Sequence, residues 1–216
     1  LYRPASWVSG DMYDIVRLDE THVGFYVADV VGHGMPAALL TMFIKKALQT
    51  NHTVGHSYEI IPPHVSMAEL NTDICEQGLS SCQFCTAAYC VLDTDSLTLQ
   101  YSRAGHPQPL LFRRDGTFER LSGPGSLLGI FPGEQYVSCE VALHPGDRVV
   151  IYSDGAEDLF RGPKGSPPAD LARVLAPLSA LPCEELLLQL TERIDVRLAD
   201  ADPEDDITVV IADIRD

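Results

Sequence analysis

The sequence predicts a layered α+β sandwich, and three observations predict it. Short strands rich in Val, Ile, Phe and Tyr recur in two clusters along the 216 residues. Apolar positions at helical spacing fall between and after those clusters and not between every pair of strands. Tight turns such as "DTDS" (93–96) and "RRDG" (113–116) join successive strands directly, as antiparallel pairing requires and a parallel βαβ series does not.

In chain order, 12–19 and 22–30 read as a hairpin turning at Glu20 and Thr21. The Gly-His-Gly turn at 32–34 and Pro36 open a helix to about residue 50. Residues 50–63 are expected to be a loop, followed by a helix over about 64–79 with Met67, Leu70 and Ile74 on one face. Strands are expected near 83–92, 96–104, 108–113, 117–121, 135–143 and 147–153. Two helices over roughly 167–178 and 183–199 precede a last strand, "DITVVIADI".

Composition narrows the function classes. The chain is 45% hydrophobic and 21% charged, as soluble domains are, and no apolar run reaches the roughly 18 residues that span a bilayer. With Lys and Arg at 15 against 31 for Asp and Glu, the net charge is −16, the wrong sign for a phosphate backbone, so neither nucleic acid nor, for this fragment, a membrane is expected as partner. Leu1 reads as the start of an excised piece of a longer chain, expected to be a single domain over 1–216 and cytoplasmic. Cys75, Cys82, Cys85 and Cys90 crowd together, but no second Cys-x-x-Cys or paired His completes a zinc set, so buried thiols are the default and a zinc or redox site the rival.

The chemistry points to aspartates at strand ends. Asp29 closes "FYVAD", Asp154 follows "VVIYS", Asp205 and Asp206 precede "ITVVIA", and Asp11 precedes the first full strand. Singly, each is an ordinary turn aspartate. If the strands are neighbours, the carboxylates converge and require cations. Oxygen donors without a His or Cys set suit Mg²⁺ or Mn²⁺. Two such ions with an activated water suit hydrolysis of a phosphate ester. No Gly-x-Ser-x-Gly elbow, His-Glu-x-x-His or P-loop competes, so metal-bound water, not a side chain, is expected as nucleophile, and no catalytic side chain is assigned.

Five blocks in order, "SGDMYD" (9–14), "ADVVGHGMPAALL" (28–40), "AGHPQPLL" (104–111), "LHPGDRVVIYSDGAEDLF" (143–160) and "DDITVV" (205–210), resemble the PPM (type 2C) metal-dependent protein serine/threonine phosphatases, in their bacterial SpoIIE/RsbU-like branch. The resemblance implies a four-layer α-β-β-α sandwich of two mainly antiparallel sheets flanked by helix pairs. It implies two Mn²⁺ or Mg²⁺ ions, with room for a third, at one end of the sandwich. Asp29 would bridge both ions and the Val30 carbonyl would join it. Asp154 and Asp205 would complete one site, Asp206 remaining the alternative to Asp205, and Asp11 would support the second through water or a further ion.

The implied substrate is phosphoserine or phosphothreonine on a regulatory protein, typically an anti-sigma-factor antagonist of the STAS type. An upstream receiver or sensor domain is implied in the full-length chain, and a homodimer is left open. Ser9 stands where the family usually begins Gly-Gly-Asp, and Glu157-Asp158 where Thr-Glu often follows the Ser-Asp-Gly. His33 and His106 read as turn-stabilising hydrogen-bonders, not catalysts. In that branch the first helix pair is regarded as a switch, although its apolar stripes are equally those of core packing. The alternative function is a catalytically silent phosphoprotein-binding or sensing module of the same fold.

Overall fold

The computed structural model describes residues 1–32, 34–54, 57–78, 84–160, 171–199 and 203–215. Strand β1 (Tyr2–Arg3) leads to β2 (Asp11–Arg17) and β3 (His22–Val30), the predicted hairpin. Asp19 caps its turn, accepting the Thr21 and His22 amides at 2.8 and 2.7 Å. Helix α1 (Met35–Ala47) begins after Gly34, whose φ of 78° suits glycine, and carries Lys45 and Lys46 in its last turn, where the helix dipole favours cations.

The expected loop over 50–63 instead holds a small hairpin, β4 (Asn51–Val54) with β5 (Ser57–Ile60). Its mixed polar sequence has no clean period-2 pattern, and it pairs as a two-stranded ribbon separate from both main sheets, with Ile60 packing against the helix-side core. Helix α2 (Pro63–Glu76) follows and buries Met67, Leu70 and Ile74 as the spacing predicts.

Strands β6 (Cys85–Asp93), β7 (Thr98–Ala104), β8 (Leu110–Phe112), β9 (Phe118–Arg120), β10 (Cys139–Ala142) and β11 (Arg148–Tyr152) then succeed one another. A short helix α3 (Asp154–Asp158), α4 (Leu171–Leu175) with a following 3-10 turn (Ala176–Leu178), α5 (Cys183–Leu198) and β12 (Ile207–Asp213) complete the chain. The sheets are β1-β12-β11-β8-β9 and β10-β7-β6-β3-β2, with antiparallel neighbours.

Three buried clusters define the layers. Ala37, Leu40 and Ile44 of α1 and Met67, Leu70 and Ile74 of α2 pack on Tyr26, Ala28, Val30 and Tyr89 of one sheet. Leu171 and Leu175 of α4 and Leu186, Leu190 and Ile194 of α5 pack on Leu110, Phe112, Val150 and Tyr152 of the other. Between the sheets lie Phe25, Val27, Cys90, Leu99, Leu111, Val149, Ile151 and Val210. The result is the expected four-layer α-β-β-α sandwich. Strand alternation divides each central strand between two of these layers: Tyr26, Ala28 and Val30 face the helices, while Phe25 and Val27 face the other sheet. No described helix is long and apolar enough to cross a membrane.

Candidate active site

The site follows from that alternation. Continuing the inward row of β3 past Phe25 and Val27 brings Asp29 to the end of the inter-sheet layer. Register places Asp11 of β2 opposite Asp29 on one side, and Thr86 of β6 opposite it on the other. In the facing sheet, the inward row of β11 runs Val149, Ile151 and then Ser153, and that of β12 runs backward from Val210 through Thr208 to Asp206. The apolar interior between the sheets therefore ends in a polar cap, with Asp11, Asp29 and Thr86 on one side and Ser153, Thr208 and Asp206 on the other.

Hydrogen bonds stitch this cap across the sandwich. The Thr208 hydroxyl donates to Asp11 Oδ2 at 2.6 Å. Buried Ser153 accepts the Thr208 amide at 3.0 Å and donates to the Asp206 carbonyl at 3.2 Å. Asp206 holds the N-terminal segment with its whole carboxylate: Oδ1 accepts the Ala5 amide at 2.7 Å, and Oδ2 accepts the Gly10 and Asp11 amides at 2.7 and 3.3 Å. Ser9, in place of a family glycine, accepts the Asp11 amide at 3.0 Å and donates to the Asp11 carbonyl at 3.2 Å. The substitution thus adds a brace instead of merely being tolerated.

Two glycines allow the close approaches. A Cβ on Gly155 would sit 2.2 Å from the Asp206 carbonyl oxygen, so only glycine lets the start of α3 press against the entry to β12. That contact brings Asp154, the residue before Gly155, beside Asp205. A Cβ on Gly10 would sit 2.7 Å from the Val30 carbonyl oxygen, which places that oxygen against the Asp11 segment.

The resulting electrostatics are those of crowded like charges. Burial pushes the Asp11 carboxyl up to about 8, helped by Asp29 and Asp206 and opposed by its bonds from Ser153 and Thr208. Burial also lifts Asp29 to about 7, with Asp154, Asp205 and Asp206 adding repulsion. Asp154 is raised by burial and then by Asp205 and Asp158.

The expected residues Asp11, Asp29, Val30, Asp154 and Asp205 are therefore gathered at one end of the sandwich. Asp205 is exposed, whereas Asp206 is buried and committed to main-chain amides. Among the described residues no group of three or more His, Cys, Asp or Glu side chains closes around an ion by itself. The donor set nevertheless fits a hard divalent cation: it is made wholly of oxygens, its carboxylates repel one another, and a main-chain carbonyl stands beside them. Such an ion would draw its remaining positions from water.

Sequence reasoning missed four members of this end. Ser153 and Thr208 share strand parity with Asp206, and that signal was available. Asp158 lies one helical turn beyond Asp154, but α3 itself was not foreseen, because "DGAED" reads as a turn. Thr86, opposite Asp29, bonds His106 Nδ1 at 2.7 Å. His106 is fully buried, and burial, with the Arg103 cation adding to it, pushes its imidazole down to about 3, so it stays neutral. His33 lies outside the described residues, as does Cys82. Cys85 and Cys90 are buried free thiols held protonated by burial.

The sequence profile of the family described as Stage II sporulation protein E (SpoIIE) matches residues 19–215. The chain belongs to the SpoIIE family. That match bears out the resemblance drawn from the five motif blocks. Among SpoIIE-family relatives, phosphoserine phosphatase RsbU of Bacillus subtilis is 28% identical over 209 residues, covering 96% of this chain and 60% of that protein. Phosphoserine phosphatase RsbP of the same organism is 30% identical over 182 residues, covering 79% of this chain and 44% of that one. The chain thus spans roughly half of the curated relatives it matches. The solved SiaA-PP2C domain of Pseudomonas aeruginosa superposes with a TM-score of 0.80 at 24% identity, over 98% of this chain and 83% of that one, a likeness of fold.

Proposed function

We propose that this chain is a metal-dependent protein phosphatase that hydrolyses phosphoserine or phosphothreonine on a regulatory protein, a STAS-type anti-sigma-factor antagonist being the class the family favours. The observation that carries the reading is the convergence of Asp11, Asp29, Asp154 and Asp205 from two sheets onto one end of the inter-sheet layer. The relatives named phosphoserine phosphatases support the reaction class. The two buried free thiols fit a reducing, cytoplasmic setting.

Two Mn²⁺ or Mg²⁺ ions bound here would supply Lewis acidity for the phosphate oxygens and acidify the attacking water. Asp29 would be shared between the two ions and the Val30 carbonyl would add a neutral donor. Asp154 and Asp205 would hold one ion, and Asp11 would serve the other from behind, its orientation fixed by the Thr208 hydroxyl. Asp206 sets the main chain of the Asp11 segment and takes no ion. Neutral His106 orients Thr86 beside Asp29 and exchanges no proton with substrate.

The test is hydrolysis of an aryl phosphate and of a phosphorylated STAS-domain protein, with and without Mn²⁺. Turnover should require the metal and stop on chelation. Turnover that survives exhaustive chelation would remove this mechanism.

A further inference from the structure

The single tryptophan of the chain, Trp7, is fully exposed, at 104% of its reference accessibility. It stands at the tip of a turn whose two ends are held by one carboxylate: Ala5 donates to Oδ1 of Asp206 and Gly10 to Oδ2, both at 2.7 Å. Ser6 braces the turn from within, its hydroxyl donating to the Val8 carbonyl at 2.8 Å. Trp7 lies two residue steps from Ala5, a reach of about 7 Å at most. Trp7 therefore stands beside the carboxylate end of the sandwich, on a loop fixed by the residue next to Asp205. Exposed Val31 flanks the same place, following the Val30 carbonyl that lies against Gly10.

A tryptophan covers about 150–250 Å² when buried and is among the residues that dominate protein recognition. Left in water it contributes nothing to this fold. A ligand consisting only of a phosphomonoester would gain nothing from an apolar anchor outside the carboxylate cluster, whereas a polypeptide carrying the phosphate must lay its neighbouring residues over the surrounding surface. We infer that Trp7, with Val31, docks a large apolar side chain close to the phosphoserine of the protein substrate, and so selects among phosphorylated segments by their flanks. This inference rests on the phosphatase reading above.

The probes are two synthetic phosphoserine peptides, one with leucines flanking the phosphoserine and one with glycines, offered to the Mn²⁺-loaded chain. The leucine peptide should be preferred in kcat/KM by roughly thirty-fold or more, the size of one hot-spot contact, with the difference carried by KM. Trp7→Ala should bring that preference towards unity, and Trp7→Phe should keep most of it. Because Trp7 is the sole tryptophan, its emission should shift to the blue as the leucine peptide is titrated in, a readout that needs no turnover. Equal treatment of the two peptides by the wild-type chain, or a preference that survives Trp7→Ala, overturns the inference and leaves the phosphatase reading standing. A blue shift produced by raising the protein concentration alone assigns the indole to a second copy and also overturns it. Failure to release phosphate from an aryl phosphate counts against the phosphatase reading, and the emission titration then still decides whether the leucine peptide docks.

Discussion

Asp205 and Asp206 are neighbours of identical chemistry, but Asp206 is buried on main-chain amides while Asp205 is exposed beside Asp154, so under the proposed metal site replacing each by Asn should give opposite results. The Asp206 carboxylate accepts three main-chain amides, from Ala5, Gly10 and Asp11. An asparagine keeps one acceptor oxygen and turns an NH₂ towards an amide that also donates. Hydrogen bonds to a charged group contribute about 1.5–3 kcal/mol each. Losing at least one and leaving a buried amide unpaired gives a destabilisation of about 2–4 kcal/mol. In a domain of this size that lowers the melting midpoint by roughly 5–15 °C. Asp205→Asn should leave the midpoint of the metal-free chain unchanged or slightly higher, because it removes one of the charges pressing on Asp29 and Asp154, yet weaken Mn²⁺ binding at least tenfold. Thermal melts without metal and calorimetric titration with Mn²⁺, run on both variants, separate the two roles. A stable Asp206→Asn that has lost its metal, beside a melted Asp205→Asn, would show that the assignment is reversed.

Asp29→Asn should weaken both ions and cut turnover by roughly three orders of magnitude, with a metal-free fold as stable as the parent; near-normal metal titration and activity would move the site elsewhere. Gly155→Ala must displace the β12 entry to clear a 2.2 Å contact, at about 1–3 kcal/mol, and should separate Asp154 from Asp205, so Mn²⁺ affinity should fall together with the melting midpoint. Without metal, Asp11 and Asp29 keep their protons up to about pH 8 and 7. Between roughly pH 4 and 8 the folded state therefore binds more protons than the unfolded one, and stability falls as pH rises, by at most about 1.4 kcal/mol per pH unit per group. Melts of the chelated protein should rise on going from pH 8 to 6, and a decline over that interval would contradict the crowding of these carboxylates.

Much of this was legible before any coordinates. The strand-end placement of Asp29 and Asp154 followed from apolar runs that stop at an acid, and the five blocks supplied the order in which they would meet. What could not be read was pairing. The choice between Asp205 and Asp206 depends on which of two adjacent residues faces inward, and that is set by β12 lying against β11 in a register no local pattern reveals. Strand β1 has only Tyr2 and Arg3, and it exists because β12, two hundred residues away, offers it an edge. The β4–β5 hairpin shows no clean amphipathic period because it stands as its own two-stranded ribbon outside both main sheets. Helix α3 is too short to display one, and close packing of Gly155 against the chain at Asp206 fixes it in place of local propensity.

The Asp206 clamp also has a consequence for biosynthesis. It joins residues 5–11 to a side chain only ten residues from the C-terminus of this sequence. A ribosome working through this domain makes the first carboxylate of the site at the outset and must carry it, unclamped and unpaired with Thr208, until almost the last strand has been made. Every length from Val30 onward contains the hairpin that bears Asp29, and none that stops short of Thr208 can close the cap. The carboxylate end of the sandwich would therefore close late and all at once, after nearly all of the sandwich sequence has been made.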